Sequence, residues 1–549
     1  MDKRAFRGFF TLVLAAGLAI VACSLGSNDG PPRNAAVVEA VANSSLEAWL
    51  SPTVDQFNGA ELKTAEGSNV YVVPTFIDSG QAVAEIADGE INPSLWIPEE
   101  EVWVNILRDQ GNGNFASDCE SVATSPLVIA MWRSAAESLG WPGLPLGWLD
   151  IGSLAADPSA WAYYSGGEFG DSLRLGHTHP GLSGSGASTL LALVQAAQSK
   201  TDSVTIEDIE QPIVQASVSA FEAAVSWFSA STADLSQAMA QRGNQFLGAA
   251  VMYESDVVNS GIGELVPIYP LEGSFVATHP ACLNSDSPYE TREATQIFRD
   301  YLIGEEAQQL AVSSGLRPVN SNVVLGPPLT ADFGVDLSEP KRLFSPPSVE
   351  TVYSAQELWQ SARKDVNLVM LLDVSGSMSG NKIENMRQAA IQFVEQMGDD
   401  DYLTIIAFSD SLPVIVEHQQ VGPARDQIIA AIDNLNAAGD TALYDAVGVG
   451  ALIIDETKSP DTTNALVVLT DGQDTYSYRY AFDQALMDLA AGNDTSVFTI
   501  AYGDDADRDV LTQLALGANG NFFVGDEASI AAIYQELSAA FGGSVGIGR

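Results

Sequence analysis

From Val366 onward, short runs of almost unbroken apolar residues alternate with stretches whose apolar positions recur every three or four residues. The runs fall at 367–373 (NLVMLLD), 402–408 (YLTIIAF), 465–471 (ALVVLTD), 497–503 (VFTIAYG) and 521–525 (NFFVG). Between and after them lie amphipathic stretches at 382–397, 441–454, 481–491, 507–516 and 527–541. A strand buried on both faces reads as a continuous apolar run, and a helix covering it reads with helical period. The pattern therefore predicts an α/β domain over 365–541, a doubly wound and mainly parallel sheet between helices.

The preceding stretch, 35–325, has a looser rhythm. Strands are expected at 69–76, 124–131, 266–269 and 275–278, and helices at 188–198, 211–229, 235–242 and 290–314. A proline-rich piece from Gly326 to Pro347 predicts a linker over 326–364 that packs extended. Near the start, Lys3, Arg4 and Arg7 precede an apolar run from Gly8 to Ala22. A charged start followed by a short apolar core reads as a secretory signal over 1–22, too short to span a bilayer. Residues 23–34 read as a flexible tether and 542–549 as a tail.

Charge narrows the functional classes. Lys and Arg number 24 against 71 Asp and Glu, a net charge of -47. Such a field repels phosphate backbones, which excludes nucleic-acid binding as the main task. It also repels anionic lipid, so membrane attachment requires a covalent or inserted anchor. Three cysteines are too few for a disulfide scaffold, and four histidines leave little for zinc or imidazole catalysis.

The candidate chemistry sits at strand ends. Asp373-Val-Ser-Gly-Ser-Met378 follows the first apolar run and offers a carboxylate and the hydroxyls of Ser375 and Ser377 from one turn. Thr441 in GDTALYD and Asp471 in LTDG add two more oxygens. Five hard oxygens, only two of them charged, suit Mg²⁺ or Mn²⁺. In order and spacing, DVSGSM, GDTALYDA and LVVLTDG resemble the metal-ion-dependent adhesion site of the von Willebrand factor A domain family. That resemblance implies direct metal contacts from Ser375, Ser377 and Thr441. It implies direct or water-mediated contacts from Asp373 and Asp471, and an open position for a partner protein's carboxylate or similar oxygen. Asp440, inside the Gly-x-Thr element, is acidic and is not counted as a ligand. Two other patterns fail their context. Asp505-Ala-Asp507-Arg-Asp509 lacks the glycine and closing glutamate of a calcium loop, and Gly542-Gly-Ser544-Val-Gly546 follows a helix with no later histidine.

The apolar leader ends Ile20-Val21-Ala22-Cys23, which resembles the lipobox of bacterial lipoproteins and implies cleavage before Cys23 and acylation of its thiol. In the middle of the chain, ATSPLVIAMW (123–132), PIYPLEGSFVATHP (267–280), SLWIPEEEVW (94–103) and the helical segment at 292–320 resemble type II periplasmic solute-binding proteins in their order. The resemblance implies two α/β lobes over 35–325, joined by two crossing strands, with a ligand clamped between them. The turn 176–187, rich in glycine and serine, leads into a helix start whose amides and hydroxyls form an anion-receptive pocket, with a plain surface turn as the alternative. By resemblance, Ser185 and Gly186 contact ligand from the second lobe, and Ser44, Ser45, Ser79 and Gly80 from the first. His177 and His179 are expected to be hydrogen-bonded loop residues rather than metal ligands. The two-lobe fold places Cys119 just before the outbound crossing strand and Cys282 just after the returning one, which implies a disulfide in an oxidising compartment.

The sequence carries no Ser/His/Asp set, paired catalytic acids or ATPase element. The expectation is a non-enzymatic, lipid-anchored envelope protein that binds a protein partner through Mg²⁺. The alternative is the solute receptor of an ABC-type transporter, with the C-terminal domain as accessory.

Overall fold

The computed structural model describes residues 30–261, 263–459, 461–492, 495–518 and 520–543. Cys23, the apolar leader and the end of the tail lie outside them. The described residues form α/β modules built on three sheets.

The first sheet has the strand order Val70–Phe76, Ala36–Ala42, Leu95–Ile97, Pro280–Leu283 and Cys119–Ser121. The first three strands run parallel, and Pro280–Leu283 returns antiparallel to both its neighbours. The chain leaves this lobe along Ala123–Trp132 and comes back through Leu265–Ile268 and Val276–Ala277, both antiparallel to it. Around the crossing strand the second sheet adds Ala249–Tyr253, Leu175–Thr178 and Val225–Ser229. Cys119 and Cys282 face each other in register where the crossing strands meet the first lobe. They are bonded, with Cα atoms 4.1 Å apart and a sequence separation of 163.

The third sheet runs Val414–Gln420, Tyr402–Phe408, Asp365–Asp373, Thr462–Thr470, Thr495–Tyr502 and Phe522–Gly525. Only Val414–Gln420 is antiparallel. The central strands bury nearly every residue on both faces, which is why they read as unbroken apolar runs.

Several elements differ from expectation. The helix expected at 211–229 is Pro212–Glu222 followed by the strand Val225–Ser229. Its β-branched and aromatic residues pack as a strand beside Leu175–Thr178, whatever their local helical spacing. The helix expected at 290–314 is two, Tyr289–Leu302 and Glu305–Ser313, broken at Gly304. In the edge strand Val414–Gln420 only Val416 is buried and the rest are half-buried or exposed, so it gives no apolar run. Within the expected linker, Val349–Ala362 forms a helix capped by Ser348, whose hydroxyl accepts from the Thr351 amide.

That helix joins the modules. Trp359 donates its indole N–H to Glu222 Oε2 (3.1 Å), and His177 Nε2 sits 3.1 Å from Glu222 Oε1. Gln356 donates to the Pro180 carbonyl (2.9 Å), and His179 Nε2 meets the Gly543 carbonyl (2.7 Å). Trp227 of the second lobe stacks on Phe498 of the third sheet, ring centroids 5.6 Å apart. One apolar cluster runs from Val128, Met252 and Trp227 through Leu368, Met370 and Phe393. Below the interface, Arg363 makes a two-pronged pair with the fully buried Asp401 (3.0 and 3.1 Å). Both histidines of the His177-x-His179 pair are thus held by hydrogen bonds.

Candidate metal site and interlobe cleft

The strand Asp365–Asp373 delivers Asp373 to the carboxyl edge of the third sheet, where loops converge and ligands are held. Asp373 is fully buried. Its Oδ1 accepts from the Ser375 amide (2.7 Å) and its Oδ2 from the Thr470 hydroxyl (2.6 Å). Ser375 Oγ lies 3.0 Å from Ser377 Oγ, which donates to Asp471 Oδ1 (2.6 Å). A methyl group built on Gly472 would stand 3.6 Å from Thr441 Oγ1 and 4.0 Å from Ser377 Oγ, so Thr441 reaches the same point. The structure therefore gathers Asp373, Ser375, Ser377, Thr441 and Asp471 at one sheet edge. Burial pushes the Asp373 carboxyl above its ordinary range, further than the Thr470 and Ser375 hydrogen bonds pull it down.

Four features hold this arrangement in place. Gly376 donates to the Gly439 carbonyl (2.9 Å), tying the first loop to the second, and Gly439 takes a left-handed φ of 89°. Asp445 is buried and accepts from the amides of Tyr478, Arg479 and Tyr480, which pins the loop after Asp471. Thr441 ties in through its amide, which donates to Thr475 Oγ1, and its carbonyl, which accepts from the Thr475 and Tyr476 amides. Lys382, at the start of helix Asn381–Gln396, pairs its ammonium with Asp471 Oδ2. Thr470, Lys382 and Asp445 escaped the sequence reading. The Asp in TALYDA and a lone lysine beside a serine-rich loop in so acidic a chain were the available signals.

Among the described residues no group of three or more His, Cys, Asp or Glu is placed to hold a metal. The five-oxygen set contains only two carboxylates. Its donors are nevertheless of one kind, hard oxygens converging on a point beside a buried acid, and they fit Mg²⁺ or Mn²⁺. Two exposed carboxylates edge the site, Asp440 next to Thr441 and Asp410 against Gly439.

The expected cleft residues are instead taken up by hydrogen bonds to other groups of the protein. Ser185 Oγ lies 2.7 Å from Thr178 Oγ1 and 2.8 Å from Thr232 Oγ1. A side chain on Gly186 would collide with the Thr178 carbonyl, so this glycine serves the close approach of helix to strand. Ser79 accepts from the Glu99 amide (3.1 Å), and Ser44 donates to Asp78 Oδ1. Ser45 donates across the lobes to Asp256 Oδ2 (2.9 Å).

Two first-lobe carboxylates occupy the starts of second-lobe helices. Glu99 Oε1 accepts from the Gly184 amide (3.0 Å) and from Asn43 Nδ2 (2.7 Å), and Asp78 Oδ2 accepts from the Thr232 amide (3.3 Å). A helix N-terminus favours an anion, and here the protein's own side chains supply it. The Gly80 and Gln81 amides both donate to the Leu182 carbonyl, closing the lobes directly. Burial raises Asp78 to about 6, and Glu100 and Asp256 to about 7. It also raises Glu99, with the neighbouring Asp78 adding to the effect. Asp78 and Glu99 went unnoticed because the helix-start amides they meet lie in the other lobe.

The family profile for bacterial extracellular solute-binding proteins matches residues 38–317, just over half of the chain. The chain belongs to that family. Residues 367–536 match the von Willebrand factor type A domain and form the C-terminal A domain. The A domain is 32% identical over 161 residues to uncharacterized protein sll0103 of Synechocystis sp., covering 29% of this chain and 37% of that one. It is 28% identical over 162 residues to the mouse inter-alpha-trypsin inhibitor heavy chain H3, covering 28% of this chain and 18% of that one. The chain thus spans little more than a third, or less, of these relatives. The sulfate-binding protein SubI of Mycobacterium tuberculosis aligns with 58% of this chain and 95% of its own, at 18% identity and a TM-score of 0.41. A von Willebrand factor type A protein of Catenulispora acidiphila aligns with 32% of this chain and 42% of its own, at 21% identity and a TM-score of 0.30. Both matching families are typically non-enzymatic binding proteins, and solute-binding proteins of this family are extracellular. No helix among the described residues is long and apolar enough to cross a membrane.

Proposed function

We propose that this protein is a non-enzymatic, envelope-anchored binding protein whose A domain holds a divalent cation and uses it to bind a protein partner. The convergence of Ser375, Ser377, Thr441, Asp373 and Asp471 at the sheet edge carries this reading. The three hydroxyls would contact Mg²⁺ or Mn²⁺ directly, and Asp373 and Asp471 would hold hydroxyls and waters in place. A bound cation supplies an acidic position for a partner's carboxylate. Asp410 and Asp440 nearby favour a carboxylate flanked by basic residues. Mg²⁺ is expected to stabilise the exported chain by mass action, about 2.7 kcal/mol at a hundred times its dissociation constant. Ser377→Ala, at an exposed loop position, should fold normally and remove that stabilisation. An unchanged Mg²⁺-dependent melting shift in Ser377→Ala would place the ion elsewhere.

The second reading, a solute receptor for an ABC-type transporter, draws on the two-lobe fold. With Asp78 and Glu99 at the helix starts, a solute entering that cleft meets carboxylates. A cationic or neutral hydrogen-bond donor suits that lining better than an anion.

Anchoring is proposed through acyl chains on Cys23, since two or more hold a protein at a membrane where one is marginal. Cys23→Ser is expected to move the protein from the membrane fraction to the soluble fraction. Retention of that variant in detergent-extractable membranes would overturn the anchor.

A further inference from the structure

At the interface between the modules, the amino ends of strands from two sheets face one another across a cavity of about 540 Å³. The starts of Leu175–Thr178 and Val225–Ser229 lie on one side. The starts of Asp365–Asp373, Thr462–Thr470 and Thr495–Tyr502 lie on the other. This is the sheet edge opposite the Asp373 loops. It is also separate from the interlobe cleft, because no lining residue comes from the first lobe.

The charge of the lining is reversed relative to the whole molecule. Arg174, Lys364 and Lys458 line the cavity and, among the described residues, no acidic residue does, although Asp and Glu outnumber Lys and Arg by 71 to 24. A fourth cation, Arg242, stands close by, its guanidinium 3.5 Å over the ring of Phe246, which also lines the space. Of these four, only Lys458 forms an ion pair among the described residues, with Asp455 (2.6 Å) on its own helix. Arg174 donates only a long bond to the Gln245 carbonyl (3.4 Å). Burial and the nearby Arg174 pull Arg242 down to about 10, the mark of like charges gathered without a counter-ion. Hydroxyls of Thr463 and Ser496 complete a wall of donors. Cations and hydroxyls converging from two modules match the needs of a tetrahedral oxyanion.

We propose that this interdomain cavity binds a phosphate or sulfate group, free or carried on a small molecule, through Arg174 from the solute-binding module and Lys364 and Lys458 from the A domain. Bound there, the anion bridges the modules and strengthens their docking. The competing explanation is that the basic residues only offset repulsion between two acidic modules, in which case no anion is held.

Calorimetric titration of the exported chain in chloride buffer separates the two. The probes are inorganic phosphate, inorganic sulfate and glycerol 3-phosphate at millimolar concentration. One site per chain is expected, with affinity falling as salt rises. The double variant Lys364→Gln/Lys458→Gln should raise the dissociation constant at least about tenfold. Arg174→Gln, from the other module, should do the same, so a folding defect in one variant does not decide the matter. Tighter binding of glycerol 3-phosphate identifies an ester as the natural form, and equal binding of all three identifies the free anion. The proposal fails if none of the probes gives heat. It also fails if affinity is unchanged in folded variants from both modules, or is lost instead in the cleft variant Ser185→Ala.

Discussion

Replacing Cys119 and Cys282 together by alanine is expected to lower the unfolding free energy by about 5 kcal/mol in the chain-entropy account of cross-links. The size follows from the 163 positions the bridge closes. Unfolding without it releases nearly the whole second lobe and both crossings as one open loop. In the native state the bridge lies within a single antiparallel pair, Cys282 opposite Cys119, so its loss leaves the lobe interface and the A domain untouched. Denaturant unfolding followed by tryptophan fluorescence checks this, because Trp96 pairs directly with Cys282 in the same sheet. The same transition seen by A-domain signals should move less. A global shift smaller than about 1 kcal/mol would contradict the loop-closure account.

The second large effect is an inverted pH dependence of the solute-binding module. Asp256 is raised from 3.8 to about 7, Glu100 from 4.5 to about 7 and Asp78 from 3.8 to about 6, each chiefly by burial. A carboxyl whose folded pKa is raised favours the native state most when protonated. Its contribution is complete below about pH 4 and is lost as pH climbs through the folded values of about 6 to 7. A shift of about three units corresponds to on the order of 4 kcal/mol for Asp256. Exposed carboxyls held low, such as Asp208 and Asp526, act in the opposite sense but are screened by solvent. The buried His179 and His279, each lowered to about 3, oppose part of the fall below about pH 6.5 without outnumbering the buried carboxyls. Melting temperature should therefore fall between pH 5 and pH 7.5 (roughly the window of these titrations). Asp256→Asn, which keeps an acceptor for Ser45, should raise the melting temperature at pH 7.5 and flatten the slope. A wild-type melting temperature that rises over the same window would overturn the assignment.

The A domain was legible because its chemistry and its periodicity are local. Each of Asp373, Thr441 and Asp471 stands at the end of a buried strand or the start of a helix, within a short stretch of characteristic residues. What supports them was less visible, since Lys382 meets Asp471 across 89 positions and Asp445 holds a loop some 33 positions away. The cleft was legible only as fold. Its hydroxyls were found, but their partners Asp256 and Glu99 lie 211 and 85 positions from the groups they meet, Ser45 and the Gly184 amide. No local pattern encodes such pairings. The strand Val225–Ser229 was read as helix because a preceding amphipathic stretch ran into it without a breaker. The helix Val349–Ala362 hid behind prolines on its amino side, although Ser348 and Thr351 form its cap.

Central to the proposed function is a single cation held by the A-domain loops. Electron paramagnetic resonance of Mn²⁺ titrated into the metal-stripped exported chain measures this directly, because free and bound Mn²⁺ give different signals. One bound Mn²⁺ per chain is expected, displaced by excess Mg²⁺ and absent from both Asp373→Ala and Ser377→Ala. No bound Mn²⁺ in the wild-type protein, or full binding in both variants, would contradict it.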